Sequence, residues 1–155
     1  MKSLFRIWFL SLVAISAGHA GAQAAGAGPL SDCPTLPEAI AQKVRWEVLK
    51  VPNMLLCRGV FIDSGEEGFA LTISQESPFK PRRGDRAELG SLNGQEVQWY
   101  RTEIAGDDKA QAREALIRVA ANQVVHVSMR APSAEALAER QQMVLSLPFP
   151  AYRED

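Results

Sequence analysis

The residues whose types and spacing could do chemistry are two cysteines, two histidines, a few acidic pairs and one dense run of cations. Cys33 and Cys57 would close a loop of about 25 residues, which the chain-entropy description of a disulfide rates at roughly 3 to 3.5 kcal/mol. No Cys-x-x-Cys pair occurs. The arrangement therefore points to a structural bridge rather than to a redox or nucleophilic thiol.

His126 falls on the same face of an alternating segment as Val124, Ser128 and Arg130. Ser128 is thus the nucleophile within reach by spacing. A serine–histidine pair also needs an orienting acid and a turn that exposes the serine, and no Gly-x-Ser-x-Gly occurs. The expectation is a histidine on an outer sheet face and no catalytic set. The acidic pairs Glu66/Glu67, Asp107/Asp108 and Glu154/Asp155 fall in turns or at the end of the sequence. Glycoside chemistry instead needs carboxylates facing each other across a cleft. Asp63-x-Gly65-Glu66-Glu67 lacks the spaced oxygen ligands of a calcium loop, and no glycine-rich loop opens a helix to hold a phosphate. Arg83-Gly84-Asp85 matches an adhesion tripeptide, a match that chance readily produces. No cofactor and no metal site are expected.

The most distinctive stretch is Phe79-Lys80-Pro81-Arg82-Arg83-Gly84-Asp85-Arg86. Prolines stiffen it, and Phe79, Lys80, Arg82, Arg83 and Arg86 are the candidate partner-binding residues. Arginine suits such contacts because its planar fork meets carboxylates with two bonds. A plain solvated loop is the alternative. Trp99 and Tyr100 are adjacent on an alternating segment, so one belongs to the core and the other is a candidate exposed aromatic.

The 155 residues carry 17 Lys+Arg against 18 Asp+Glu and are 46% hydrophobic, which excludes a disordered polyelectrolyte and gives no electrostatic reason to bind nucleic acid. Lys2 and Arg6 precede the apolar run Ile7 to Ile15, and Ala20-Gly21-Ala22 has the form signal peptidases accept. Residues 1–22 are read as a cleaved signal, 23–35 as a flexible leader and 36–155 as one α+β domain. Cleavage after Ala20, Ala22 or Ala24 stays open, as does lipidation of Cys33 at Leu30-Ser31-Asp32-Cys33, where Asp32 stands in place of the usual small residue. The apolar run is shorter than the ~20 residues that span a bilayer, so no transmembrane segment is expected in the mature chain. Removing Lys2 and Arg6 leaves 15 basic residues against 18 acidic ones, a net charge of −3, and His126 as the sole histidine.

The elements that must position these groups follow from periodicity. Leu36 to Lys43 is a short helix with Pro37 and Glu38 in its first turn. Val44, Trp46 and Val48 alternate as a strand, Pro52-Asn53 turns, Leu55 to Ile62 is a second strand, and Ser64 to Gly68 is a hairpin loop. Phe69 to Ser74 is a third strand. Ala87 to Leu92 and Gln95 to Ile104 flank Asn93-Gly94, the strongest two-residue hairpin signal, and Gly106-Asp107-Asp108 turns again. Residues 110–120 fit a helical stripe through Ala112, Ala115, Leu116 and Val119, but also a strand face through Ala115, Ile117 and Val119. Local propensity favours helix; pairing with Val124 to Arg130 favours strand, towards which the reading leans. Ser133 caps a C-terminal helix with an inner stripe of Ala134, Leu137, Ala138, Gln141, Val144 and Leu145, ended by Pro148 and Pro150. The expected architecture is α+β: an antiparallel sheet of five to seven strands with a C-terminal helix packed on one face.

The final third, Val124-Val125-His126-Val127-Ser128-Met129-Arg130 followed by the helix and Ser146-Leu147-Pro148-Phe149, resembles the end of small exported domains of the PsbP-like fold group. The likeness covers about 30 residues, all of them fold-setting positions by their helix and strand periodicity. It implies a sheet with covering helices and a non-enzymatic, protein-binding role, and it transfers no functional residue. The function expected is that of a periplasmic or secreted protein-binding domain, an inhibitor or an immunity protein against a secreted toxin, whose partner is another protein with an acidic surface. A small-molecule or lipid carrier using the sheet–helix interface, and a small periplasmic hydrolase, are the alternatives.

Overall fold

A computed structural model describes residues 29–103 and 110–152. A four-residue helix α1 (Glu38–Ala41) leads into strands β1 (Val44–Val51), β2 (Met54–Phe61) and β3 (Glu67–Ser74). A crossover segment follows, ending in a short 3-10 turn at Arg83–Asp85. Then come β4 (Arg86–Leu92), β5 (Gln95–Arg101), β6 (Gln111–Ala120), β7 (Gln123–Ala131) and helix α2 (Ala134–Leu145). The strands form one seven-stranded sheet in the order β1-β2-β3-β7-β6-β5-β4, with every neighbouring pair antiparallel. The fold is the expected α+β architecture.

Local chemistry accounts for the hairpins. Asn93 and Gly94 have φ of 51° and 78°, the left-handed pair that a two-residue turn between twisted strands requires. Asn53 after Pro52 is also left-handed, at φ 63°. Residues 110–120, which fitted both periods, form strand β6. Ala115, Ile117 and Val119 are buried on one face and the strand pairs with β7 along nearly its full length, so tertiary burial outweighs the local helix preference.

The core lies between α2 and one face of the sheet. Phe69, Leu71, Trp99, Ile117, Val125, Val127, Val144 and Leu147 are each at most 2% exposed. Ser133 Oγ accepts the Ala136 amide at 3.2 Å, the expected cap. The stripe of α2 is rotated from the one periodicity suggested. Ala134 and Ala138 are exposed, and Leu137, Arg140, Met143 and Val144 are buried. Arg140 belongs to the buried side because its guanidinium lies 5.2 Å from the centroid of the Phe61 ring and donates to the Arg130 carbonyl, so an ostensibly polar position turns inward. Burial pushes the Arg140 pKa down, against the pull of Glu66 and Glu139. Helix α1 is also shorter than Leu36 to Lys43, with Pro37 as its cap residue.

Residues 29–35 cross the core face. Cys33 and Cys57 form a disulfide with their Cα atoms 5.8 Å apart. Trp46 Nε1 donates to Pro34 O at 2.8 Å. Leu30 and Gln123 exchange two bonds of 2.6 and 2.9 Å. The bridge is compatible with an oxidising, exported compartment. Among the described residues no helix is long and apolar enough to cross a membrane. The expected signal, the start of the leader, the Gly106-Asp107-Asp108 turn and the Glu154/Asp155 pair lie outside the described residues.

Candidate functional site

The topology itself creates the site. Strand β3 is third in the sheet and β4 is its far edge, so residues 75–85 must pass β7, β6 and β5. They do so on the face opposite α2. Phe79 is the anchor: its ring stacks on His126 of β7, 4.9 Å between centroids and 10° between planes, and meets Tyr100 of β5 edge-on at 5.8 Å. Ser77 Oγ accepts the Phe79 amide at 3.2 Å and shapes the approach.

Register brings the polar groups of this face together. Glu114 lies opposite both Ser128 and Tyr100, and Leu116 and Thr72 flank His126. His126 Nε2 is 3.1 Å from Glu114 Oε1, and Thr102 Oγ1 donates to Glu114 Oε2 at 2.6 Å. Both oxygens of Glu114 are therefore occupied. The imidazole is committed to Glu114 and the Phe79 ring, and Ser128, two residues along, is not its hydrogen-bond partner among the described residues. A nucleophilic serine would need that bond.

A cleft of about 740 Å³ is lined by Arg58, Glu66, Glu67, Glu114, Ser128 and Arg140 among others. It marks where the sheet divides: β3 and β7 pair only from Ala70/Ser128 to Ser74/Val124, so their remaining ends diverge. Arg58 bridges Glu67 at 2.7 Å and Glu47 at 3.0 Å. The bond to Glu67 is the main cause of its raised pKa.

On the other side of the sheet, Arg113 is 9% exposed and grips Glu88 with two bonds of 2.8 and 2.6 Å. That bond from Arg113 holds the Glu88 carboxyl at about 2. Gln141 of α2 adds a contact of 3.5 Å, so Glu88 ties the bulged edge strand β4 to both β6 and α2.

Of the residues singled out by sequence, Lys80, Arg82, Arg83 and Arg86 are exposed. Among the described residues no carboxylate stands within ion-pair distance of them. Phe79 does not project with them but faces the sheet. Tyr100 is half-buried beneath it, and Trp99 is in the core at 1% exposure. Sequence reasoning missed Glu114, Thr102 and the Glu88–Arg113 pair. The only signal for Glu114 was the β6–β7 register, which the turn at Ala121-Asn122 sets once residues 110–120 are read as a strand. Among the described residues no group of three or more His, Cys, Asp and Glu could hold a metal ion. No family model, no curated protein and no solved structure matches the chain.

Proposed function

We propose that this is an exported, periplasmic, non-enzymatic domain that binds another protein through the outer face of its sheet. The observation that carries the reading is the crossover segment. Phe79 pins it to His126 and Tyr100, while Lys80, Arg82, Arg83 and Arg86 stand in water without carboxylate partners among the described residues. A held backbone loses less freedom on docking than a loose loop would, and four arginine and lysine heads on a chain with more acidic than basic residues recruit an acidic surface. An inhibitor or immunity role against a secreted toxin fits this chemistry, as does the PsbP-like cadence of the final third. The carrier alternative loses support because the helix–sheet interface is filled by Trp99, Leu137, Val144, Leu147 and Phe149.

The test is affinity capture from periplasmic extract with the wild-type chain and with the triple variant Lys80→Glu, Arg82→Glu, Arg83→Glu. A partner retained at low salt, released as salt rises and lost by the variant supports the proposal. A partner held equally by both chains removes the basic segment from it, and failure to retain any protein overturns it.

A further inference from the structure

The two edges of the sheet are unlike. At one, β4 is bulged between Arg86 and Leu89, an irregularity that discourages further pairing. At the other, all eight residues of β1 pair consecutively with β2 without a bulge, and no proline interrupts them. Among the described residues no strand lies beyond β1. Val44 is buried and Trp46 half-buried, but the second half of the strand is exposed: Val48 57%, Leu49 54% and Val51 36%. Residues 29–35 cross the core face rather than extending the sheet, through the bonds of Pro34 to Trp46 and of Ser31 to Lys50. A straight, regular, partly apolar edge is a template for a further strand.

We infer that β1 pairs with β1 of a second copy of this chain, antiparallel and centred on Val48, so that two seven-stranded sheets continue as one. The sequence of the strand selects the occupant and the register. A two-fold axis normal to the sheet keeps each face continuous, so residues opposite one another share a face and the axis passes between the two copies of a single residue. Centring on Glu47 sets two carboxylates against each other, which is unfavourable. Centring on Val48 sets Val48 against Val48, Glu47 against Leu49, Trp46 against Lys50 and Arg45 against Val51. This is the longest symmetric register with no like charges directly opposite. It buries the two most exposed apolar residues of the strand. The two Phe79-anchored crossover segments then lie on the same face of the joined sheet. A repeated acidic partner would meet both at once. The pairing itself does not depend on the proposed partner.

The test uses the purified mature chain alone, so it is separate from partner capture. Light scattering after size exclusion, at submillimolar concentration, is expected to give the dimer mass for the wild type and the monomer mass for Val48→Asp. Circular dichroism of that variant should keep the wild-type sheet signature, because Val48 is exposed in the single copy, while its melting temperature should lose the concentration dependence expected of the wild-type dimer. In the inferred register, Val48→Cys should cross-link to a disulfide dimer under mild oxidation with the Cys33–Cys57 bridge intact, while Leu89→Cys on the bulged edge should not. A monomeric wild type overturns the inference, and so does a dimer that Leu89→Cys traps and Val48→Cys does not.

Discussion

The ring of Phe79 lies flat on the imidazole of His126, 4.9 Å between centroids and 10° from parallel. A residue that begins the charged stretch is thereby the one that fastens it, and His126 serves as a platform. A bond to Glu114 links the platform to Thr102, so contacts tie the crossover to β7, to β6 and to the residue that follows β5.

Replacing Phe79 by alanine should release the crossover while leaving the α2 side of the sheet intact. The lost packing is worth about 1–3 kcal/mol. Trypsin should then cleave between Arg82 and Arg83 several-fold faster at a temperature where the near-ultraviolet circular dichroism of Trp99 is unchanged. Equal cleavage rates would mean that Phe79 is not the anchor.

The Glu88–Arg113 pair should make the fold acid-sensitive. The Glu88 carboxyl sits at about 2 in the folded chain rather than near its ordinary 4.5. Its contribution is therefore fully present above about pH 4.5 and is lost as pH falls from there towards 2. Half of the Glu88 side chain remains in water, at 49% exposure, so solvent screening limits the gain. Glu88→Gln should lower stability at pH 7 by about 1–2 kcal/mol, largely because buried Arg113 loses its charged partner. The difference between the two chains in urea denaturation should shrink as pH falls below about 4.5 and close only towards pH 2. A constant difference across pH would rule this pair out as the source.

Opening the Cys33–Cys57 bridge frees a loop of about 25 residues in the unfolded chain and should cost about 3 kcal/mol. The double variant Cys33→Ser, Cys57→Ser should melt several degrees lower than the oxidised wild type. Reductant should lower the melting temperature of the wild type and leave that of the variant unchanged.

Gly59→Ala should destabilise the sheet at its β2 bulge. A β-carbon there would stand 2.9 Å from the Phe69 ring, and Phe69 is fully buried with Trp46 packed edge-on against it. The fully buried Phe69 ring must shift to admit it, so the expected loss is about 1–3 kcal/mol by chemical denaturation. Gly65→Ala would be a poor comparison, since its φ of 71° adds backbone strain of its own.

Much of this protein is decided by order and period alone. Alternation placed Val125, Val127 and Met129 on one face of β7 and His126, Ser128 and Arg130 on the other. Asn93-Gly94 demanded a hairpin because few other pairs accept two left-handed residues in a row. Two cysteines in a chain whose first residues read as an export signal pointed to one bridge. These are local or combinatorial facts, and a linear reading reaches them. The crossover is not of that kind. That Phe79 meets His126, 47 positions away in the chain, follows only from β7 returning to the middle of the sheet and β4 forming its far edge. The inward turn of Arg140 likewise depends on Phe61 and the Arg130 carbonyl, which the helix period cannot see. Residues 110–120 carried both periods at once, and only pairing on both sides made them a strand. Local sequence sets what each segment can be. The burial of one segment against another, distant in the chain, decides which of those forms is adopted and which side chains meet.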